Sequence, residues 1–390
     1  MKPFRAWVWV GKGLRALVGL VLLLVGWAGF FTFAASYADY PVVPPASEGP
    51  RWPRGAFHVH TTRSDGRATE AEVAAAAKAA GLHFVVLTDH NDFTPREPVF
   101  VDGVLLVQGV EISTAAGHLV AFGLERPLEG VHKGMDGGET QAAVARAGGV
   151  SVLAHPVQAR NPWRHEEAAR RAEGFELYSA DTFFRNAVRH PFSRLLPAVG
   201  AWLGQRVHGV MLLVEPDEGP VTKLLELARE KPRLALCAHD AHGLPGYEEV
   251  FQSLAMYLPP REDGAALPGD ARAAAEVVVE GLASGRALCA FRALGEPEGF
   301  SLEGVDAGRR EAHVGDVLTV RLPPGAREHV RVEVRGAGRL RPDGVSVDLV
   351  EEGAVQVEAW VEAPGRFFGS RWRPWIVPSP IRVLARGVGR

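Results

Sequence analysis

Cysteine is nearly missing from this chain: only Cys237 and Cys289 occur in 390 residues. So small a supply excludes a disulfide scaffold for a protein of this length. Each cysteine lies in an apolar, strand-like run (LALCAH and ALCAFR), and the pair reads equally as one bridge in an oxidising compartment or as two buried thiols. An excess of charge is missing as well, with 43 Lys and Arg against 46 Asp and Glu and a net charge of −3. That balance leaves no electrostatic footprint for nucleic acid, and the arginines at 366, 371 and 373 are few and interrupted by Trp and Pro. No nucleic-acid partner is expected, and no obligate protein partner is evident. Internal repeats and low-complexity tracts are also lacking. The hydrophobic share of 47% is too high for a disordered chain and suits two or three globular pieces.

Long hydrophobic runs are lacking with one exception. From Ala16 to Ala38 no residue is charged, and the run ALVGLVLLLVGWAGFFTFAAS is long enough for one membrane-spanning helix. Lys2, Arg5, Lys12 and Arg15 precede it and Asp39 follows, so the positive-inside rule puts residues 1–15 in the cytoplasm and the bulk of the chain outside. A cleaved signal peptide competes with this reading, because Ala34, Ala35 and Ala38 could serve a peptidase. Either reading exports the rest of the protein. A second apolar stretch, Phe192 to Val214, is broken by Arg194, Arg206 and His208. It reads as a buried helix pair, with a membrane-resting surface as the alternative.

The remaining pattern sets the organisation. Residues 1–38 form a cytoplasmic tip and an anchor or signal segment, and 39–55, rich in Pro and small residues, form a linker. Residues 56–292 alternate strands with helices, which implies an α/β fold with a mainly parallel sheet, open or closed into a barrel. One helix, Thr69–Gly81, carries a capping box from Thr69 and Glu72. Residues 293–390 show period-two alternation between Gly/Pro turns and read as a small all-β, sandwich-like domain.

Against that frame of strands, FHVHTTRSDG has a defined meaning. Side chains two apart on a strand share a face, so His58 and His60 form a pair, with Asp65 following. Further donors fall at strand C-terminal ends: His90 in LTDHN, Glu111 in GVEIS, His155 in LAHP, and Asp240 and His242 in AHDAH. His118 stands at the head of a strand instead. His83, His132, His165, His190, His208 and His313 have no such placement and read as structural or surface residues. Donors of this type without cysteine suit Zn, Mn or Fe. So many donors imply two or three divalent ions, with Glu111 as the bridging carboxylate. Such a site suits hydrolysis, because the ions make hydroxide accessible near neutrality. Asp89 could orient the His90 ring or cap its loop. Arg63, Asn91 and Arg185 are the candidate substrate contacts, the arginines as clamps for an anion.

The ordered set HxH…D, TDHN, GxE, GH, AHP and DAHG resembles the PHP (polymerase and histidinol phosphatase) metallohydrolases over about residues 56–292. The stretch RPWIVPSPIRV is similar to the tail of the carbaryl-hydrolase-like CehA/McbA branch. The resemblance implies a distorted (β/α)7 barrel with up to three metals. It implies that His58, His60, Glu111 and Asp240 hold the first ion, Glu111, His155 and His118 the second, and Asp65, His90 and His242 the third. Glu111, Asp240 and His242 would be the catalytic residues. His239 stands where the family more often has a small residue, and alternation points it away from Asp240 towards packing. The implied activity is hydrolysis of a small-molecule ester, a phosphoesterase first and a carboxylester or carbamate hydrolase second. A non-catalytic, metal-retaining binding module is the reading from another class.

Overall fold

The computed structural model describes residues 4–44, 51–260, 266–305, 309–367 and 369–386. Residues 1–3 of the expected cytoplasmic tip and 45–50 of the expected linker lie outside the described residues. The first helix, α1 (Phe4–Ala35), contains one 24-residue segment, Lys12–Ala35, that is long and apolar enough to cross a bilayer. Most of its large apolar side chains are exposed, whereas Phe31, Ala34 and Ala35 near its end are buried against the rest of the chain.

The strands that position the donors are β1 (Arg54–Val59), β2 (Phe84–Leu87), β3 (Val99–Val101), β4 (Val104–Ser113), β5 (His118–Phe122), β6 (Val150–Leu153), β7 (Gly174–Ser179), β8 (Leu234–Ala238), β9 (Ala255–Tyr257) and β10 (Leu288–Ala290). Between them run α2 (Glu70–Ala79), α3 (Gly137–Arg146), α4 (Glu166–Arg171), α5 (Ala180–Val188), α6 (Leu196–Gly204) and α7 (Arg206–Leu213). The capping box on α2 is formed: Thr69 accepts from the Glu72 backbone N–H while the Glu72 carboxylate accepts from Thr69. The runs FVVL in β2 and LALCA in β8 are fully buried, as strands covered on both faces must be.

The expected mainly parallel sheet needs correction. Parallel pairing joins β1 to β2, β2 to β4, β6 to β7 and β7 to β8, but β5 runs antiparallel to both β4 and β6. The short link between β4 and β5 leaves no room for a helical crossover, so the chain turns back as a hairpin. The segment after β8 returns to β1 through three backbone hydrogen bonds, His239 N–H to Phe57 O, Ala241 N–H to His58 O and His60 N–H to Ala241 O.

The C-terminal strands do not stand apart. β10 pairs antiparallel with Ser370–Pro378, so one sheet continues from the donor-bearing strands into Gly353–Pro364 and Ile381–Leu384. A separate four-stranded sheet (Ser301–Glu303, Val317–Arg321, Ser346–Leu349 and Gly338–Leu340) completes this region. Trp375, fully buried, donates its indole N–H to Gly295 O at 2.7 Å and ties the continuing sheet to the loop after β10.

Of the two readings for the cysteines, the structure takes the bridge: Cys237 on β8 and Cys289 on β10 are disulfide-bonded, 52 residues apart in sequence. Closing a loop of that length in the unfolded chain contributes about 4 kcal/mol in the chain-entropy model. The double variant Cys237→Ala/Cys289→Ala is therefore expected to unfold at clearly lower denaturant concentration than wild type, and an unchanged midpoint would refute the assignment.

Candidate metal centre

The donors converge on one rim because the strands end there. β1, β2, β4, β6, β7 and β8 deliver their C-terminal ends to it, while β5, running the other way, delivers its first residue. His118 is paired opposite Ser113 at the end of β4 and so sits on the same rim. In a mainly parallel sheet a residue at the head of a strand stands apart from the other donors; the hairpin brings His118 to them.

Glu111 is the centre of the cluster. It is fully buried, and its Oε1 lies 2.7 Å from His118 Nδ1 and 3.1 Å from His155 Nε2. Its Oε2 has His58 Nε2 at 3.0 Å, His60 Nε2 at 3.1 Å and His90 Nδ1 at 3.2 Å, yet it accepts a hydrogen bond from none of them. Asp240 Oδ1 stands 3.4 Å from His58 Nε2 and 3.3 Å from His60 Nε2. At the open side Asp65 is 3.3 Å from His242 and 3.8 Å from His90, and it is the exposed member at 58%. Three donor sets are close enough for one cation each: His58, His60, Glu111 and Asp240; His60, Asp65, His90 and His242; and His90, Glu111 and His118. The first coincides with the expected first-ion set. The others share residues differently: His60 joins the Asp65 set, and His90 takes the place expected for His155.

Simple alternation does not explain how His58 and His60 meet. The pairing of β1 with β2 slips between Phe57 and Val59, a bulge that leaves His58 at φ 64°. His155 (φ 31°), Asp240 (φ 46°) and Asn91 (φ 53°) are also in the left-handed region that side chains disfavour. Such strain costs about 1–3 kcal/mol per residue and persists where packing imposes it, commonly at functional sites.

The electrostatics match a cation cage. Burial alone would raise the Glu111 carboxyl, but His58 and the hydrogen bonds from His118 and His155 hold it well below the usual range. Burial lowers the His90 imidazole, but at the deeper rings the carboxylates prevail: Asp240 and Glu111 push His60 up to about 9, and Glu111 with Asp240 pushes His155 up to about 9. His58 is likewise raised against its burial by Glu176, Glu111 and Asp240. The pocket thus demands positive charge. Divalent ions would supply it and displace those protons. The unpartnered buried atoms Glu111 Oε2, His90 Nδ1 and His155 Nδ1 fit the same demand.

Sequence reasoning missed Glu176. It sits inside the apolar run FELYS, fully enclosed, with Oε1 2.5 Å from His58 Nδ1 and Oε2 accepting the His155 backbone N–H at 2.7 Å. A proton held on His58 Nδ1 by Glu176 turns the Nε2 lone pair towards Glu111 and Asp240. The available signal was a lone carboxylate in a buried strand, which must be paired. Glu176→Gln keeps the shape but cannot accept from both partners, so metal affinity is expected to fall about 10–100-fold in a chelator competition titration. Unchanged affinity would remove Glu176 from the site.

The supporting residues divide. Asp89 does not touch the His90 ring; it accepts from Thr61 N–H, Thr61 Oγ1 and Ser64 Oγ at 2.7–2.9 Å and so pins the loop carrying Asp65. Asn91 spends both amide atoms on Ser113, closing its turn against β4. Arg63 is engaged by Asp92 at 2.7 Å. Arg185 pairs with Asp181 on α5, and that carboxylate with the charges of Asp240 and Asp65 raises its guanidinium against its burial. His239 faces away, buried and bonded to Leu254 O at 2.8 Å. A small cleft of about 50 Å³ opens beside His155, lined by Tyr178, Thr182, Asn186 and Asp217 among others.

No family model matches the chain, and no curated protein does either. Among solved structures it is similar to a two-domain protein from Bacteroides vulgatus containing a domain predicted to be a PHP-like metal-dependent phosphoesterase, at 14% identity, covering 87% of this chain and 98% of that one, with a TM-score of 0.39. It is also similar to a Bifidobacterium adolescentis protein provisionally described as a metal-dependent phosphoesterase (17% identity, 38% of this chain and 86% of that one, TM-score 0.26). A third is an amidohydrolase from Chromobacterium violaceum with bound sulfate and no metal (16%, 35% and 84%, TM-score 0.25).

Proposed function

We propose that this chain is an exported, membrane-anchored, metal-dependent hydrolase of the PHP type whose substrate is a phosphate ester. The observation that carries the reading is Glu111: a buried carboxylate with one oxygen facing three imidazole nitrogens and hydrogen-bonded to none. Imidazole nitrogens crowd a carboxylate held out of water there, an arrangement that a divalent cation stabilises by displacing the protons the cluster otherwise holds. His58, His60, Asp65, His90, Glu111, His118, His155, Asp240 and His242 would together hold two or three ions.

Divalent ions there supply a water acid enough to ionise near neutrality and positive charge for the oxygens of the attacked centre. The protein's own groups do the rest. The buried carboxylates of Glu111 and Asp240 form the floor, and Glu176 fixes the His58 ring. His242 and Asp65 stand at the open side, where substrate must enter, with His242 Nε2 3.3 Å from Asp65. Arg185 offers a planar guanidinium to an anionic group, its position held by Asp181. Export is supported by the disulfide, which persists in oxidising compartments.

The test is turnover by the full chain in detergent, loaded with Mn or Zn, against phosphate mono- and diesters and against aryl esters and carbamates. Release from phosphate esters is the expected result. Release only from the carbon esters would move the substrate class, and metal binding with no turnover of either would favour the binding module.

A further inference from the structure

The apolar stretch after α5 carries an unexplained surface. It opens with a wide helical turn, Pro191–Leu195, and continues as α6. Phe192, Leu196, Val199 and Leu203 recur at helical spacing, and three of them face outward: Phe192 is 75% exposed, Val199 46% and Leu203 60%, with Leu196 half-buried. A helix in a water-soluble surface turns such a stripe inward.

The other face of α6 is occupied by the end of α1. A Cβ on Gly200 would meet the Phe31 side chain at 2.7 Å, and one on Gly204 would meet the Thr32 carbonyl at 2.6 Å. Thr32 Oγ1 also bonds to Gly200 O at 2.8 Å, joining the two helices. Small residues four apart with a hydroxyl bridging to the neighbouring backbone are how helices pack closely in lipid. The stripe therefore lies beside the last turns of the one helix apolar enough to span a bilayer.

We infer that α6 and its leading turn rest in the lipid of the membrane that α1 crosses, holding the body of the protein against the outer leaflet. The charges nearby select a bilayer over a protein partner. Arg189 and Arg206 bracket the stripe; Arg206 pairs with Glu249 at 3.0 Å and stacks over Trp202 with its guanidinium carbon 5.2 Å from the ring centroid. Arg194, Arg366 and Arg371 gather around the single carboxylate of Glu215 at 2.8–3.5 Å, leaving surplus positive charge for phosphate headgroups. Next to Arg366, the exposed Phe367 lies 5.5 Å from Phe31 and 6.0 Å from Phe30 of α1, an aromatic contact at the level expected for a membrane boundary. This inference rests on α1 being a span and is independent of the hydrolase reading.

The experiment uses the full chain in phosphatidylcholine–phosphatidylglycerol vesicles, with single cysteines labelled by an environment-sensitive fluorophore and lipids brominated near the head of the acyl chain. Val199→Cys and Leu203→Cys are compared with Leu22→Cys in α1 and with Val277→Cys on a remote exposed helix. Labels at 199 and 203 are expected to lose about half their emission to brominated lipid, as an interfacial helix would, while 277 is unaffected. Quenching at 22 with none at 199 and 203 would overturn the inference and leave the span intact. A blue shift at 199 and 203 without quenching would overturn it in favour of a second protein copy on the stripe. Quenching at none of the positions would overturn both the inference and the span.

Discussion

Glu111→Gln is expected to lower metal content from about two or three equivalents to at most one and turnover about a thousandfold, since it removes the carboxylate common to the cluster. The reason is geometric. Oε1 serves His118 and His155 while Oε2 faces His58, His60 and His90, so both oxygens are shared between donors that belong to different ion positions. Glutamine matches the volume, so the surrounding strands need not move. It removes the negative charge, however, and turns two N–H groups towards nitrogens that must offer lone pairs. Elemental mass spectrometry on purified wild type and variant, with circular dichroism to show equal folding, decides the matter. A variant that keeps its metal would mean that Glu111 does not bridge, and the proposed arrangement of ions would fall.

Removing the metals from the wild type is expected to lower its thermal midpoint by roughly 8 °C. Ions that bind only the folded chain stabilise it by about 4 kcal/mol at a thousandfold excess over Kd, and about 2 °C per kcal/mol is the scale for a large domain. This chain should show the effect strongly because Glu111, Asp240 and Glu176 are enclosed together. Without divalent cations, protons on His58, His60 and His155 balance them. Dialysis against a chelator, followed by a scan with and without added Mn or Zn, measures the shift. Equal midpoints would show that the cluster is satisfied by its own protons, which is the behaviour of a structural network.

The two experiments check each other. If Glu111→Gln truly empties the site, the variant must also lose the metal-dependent part of the thermal shift. A variant that loses turnover but keeps the full shift would place Glu111 in chemistry and not in binding.

Much of this site could be read along the chain because its donors recur beside recognisable strand ends, and strand ends are legible from apolar runs and turn residues. Capping residues were legible for the same reason: Thr69 and Glu72 act within four residues of each other. His118 was harder, because its membership depends on β5 running antiparallel, and strand direction is settled by partners rather than by a strand's own residues. Glu176 was hidden by its surroundings; an apolar run with one acid resembles a strand with a tolerated polar position until the imidazole it holds is in view. The outward stripe of α6 read as core, since periodicity reports that one face is apolar but not which way it faces.

By itself, then, the sequence determined the local and the chemical: an apolar segment long enough to span a bilayer, the helix caps, the strand-like runs, and a stock of imidazoles and carboxylates without thiolates. Those follow from short-range sterics, hydropathy and donor identity, which depend on neighbours in the chain. Only the tertiary structure decided that nine donors share one rim, that a bulge at His58 turns two imidazoles towards one carboxylate, that Cys237 meets Cys289 and that α6 packs on α1 with its apolar stripe outward. Each of these depends on register, strand direction or burial between segments far apart in sequence, and such contacts are selected by the packing of the whole chain.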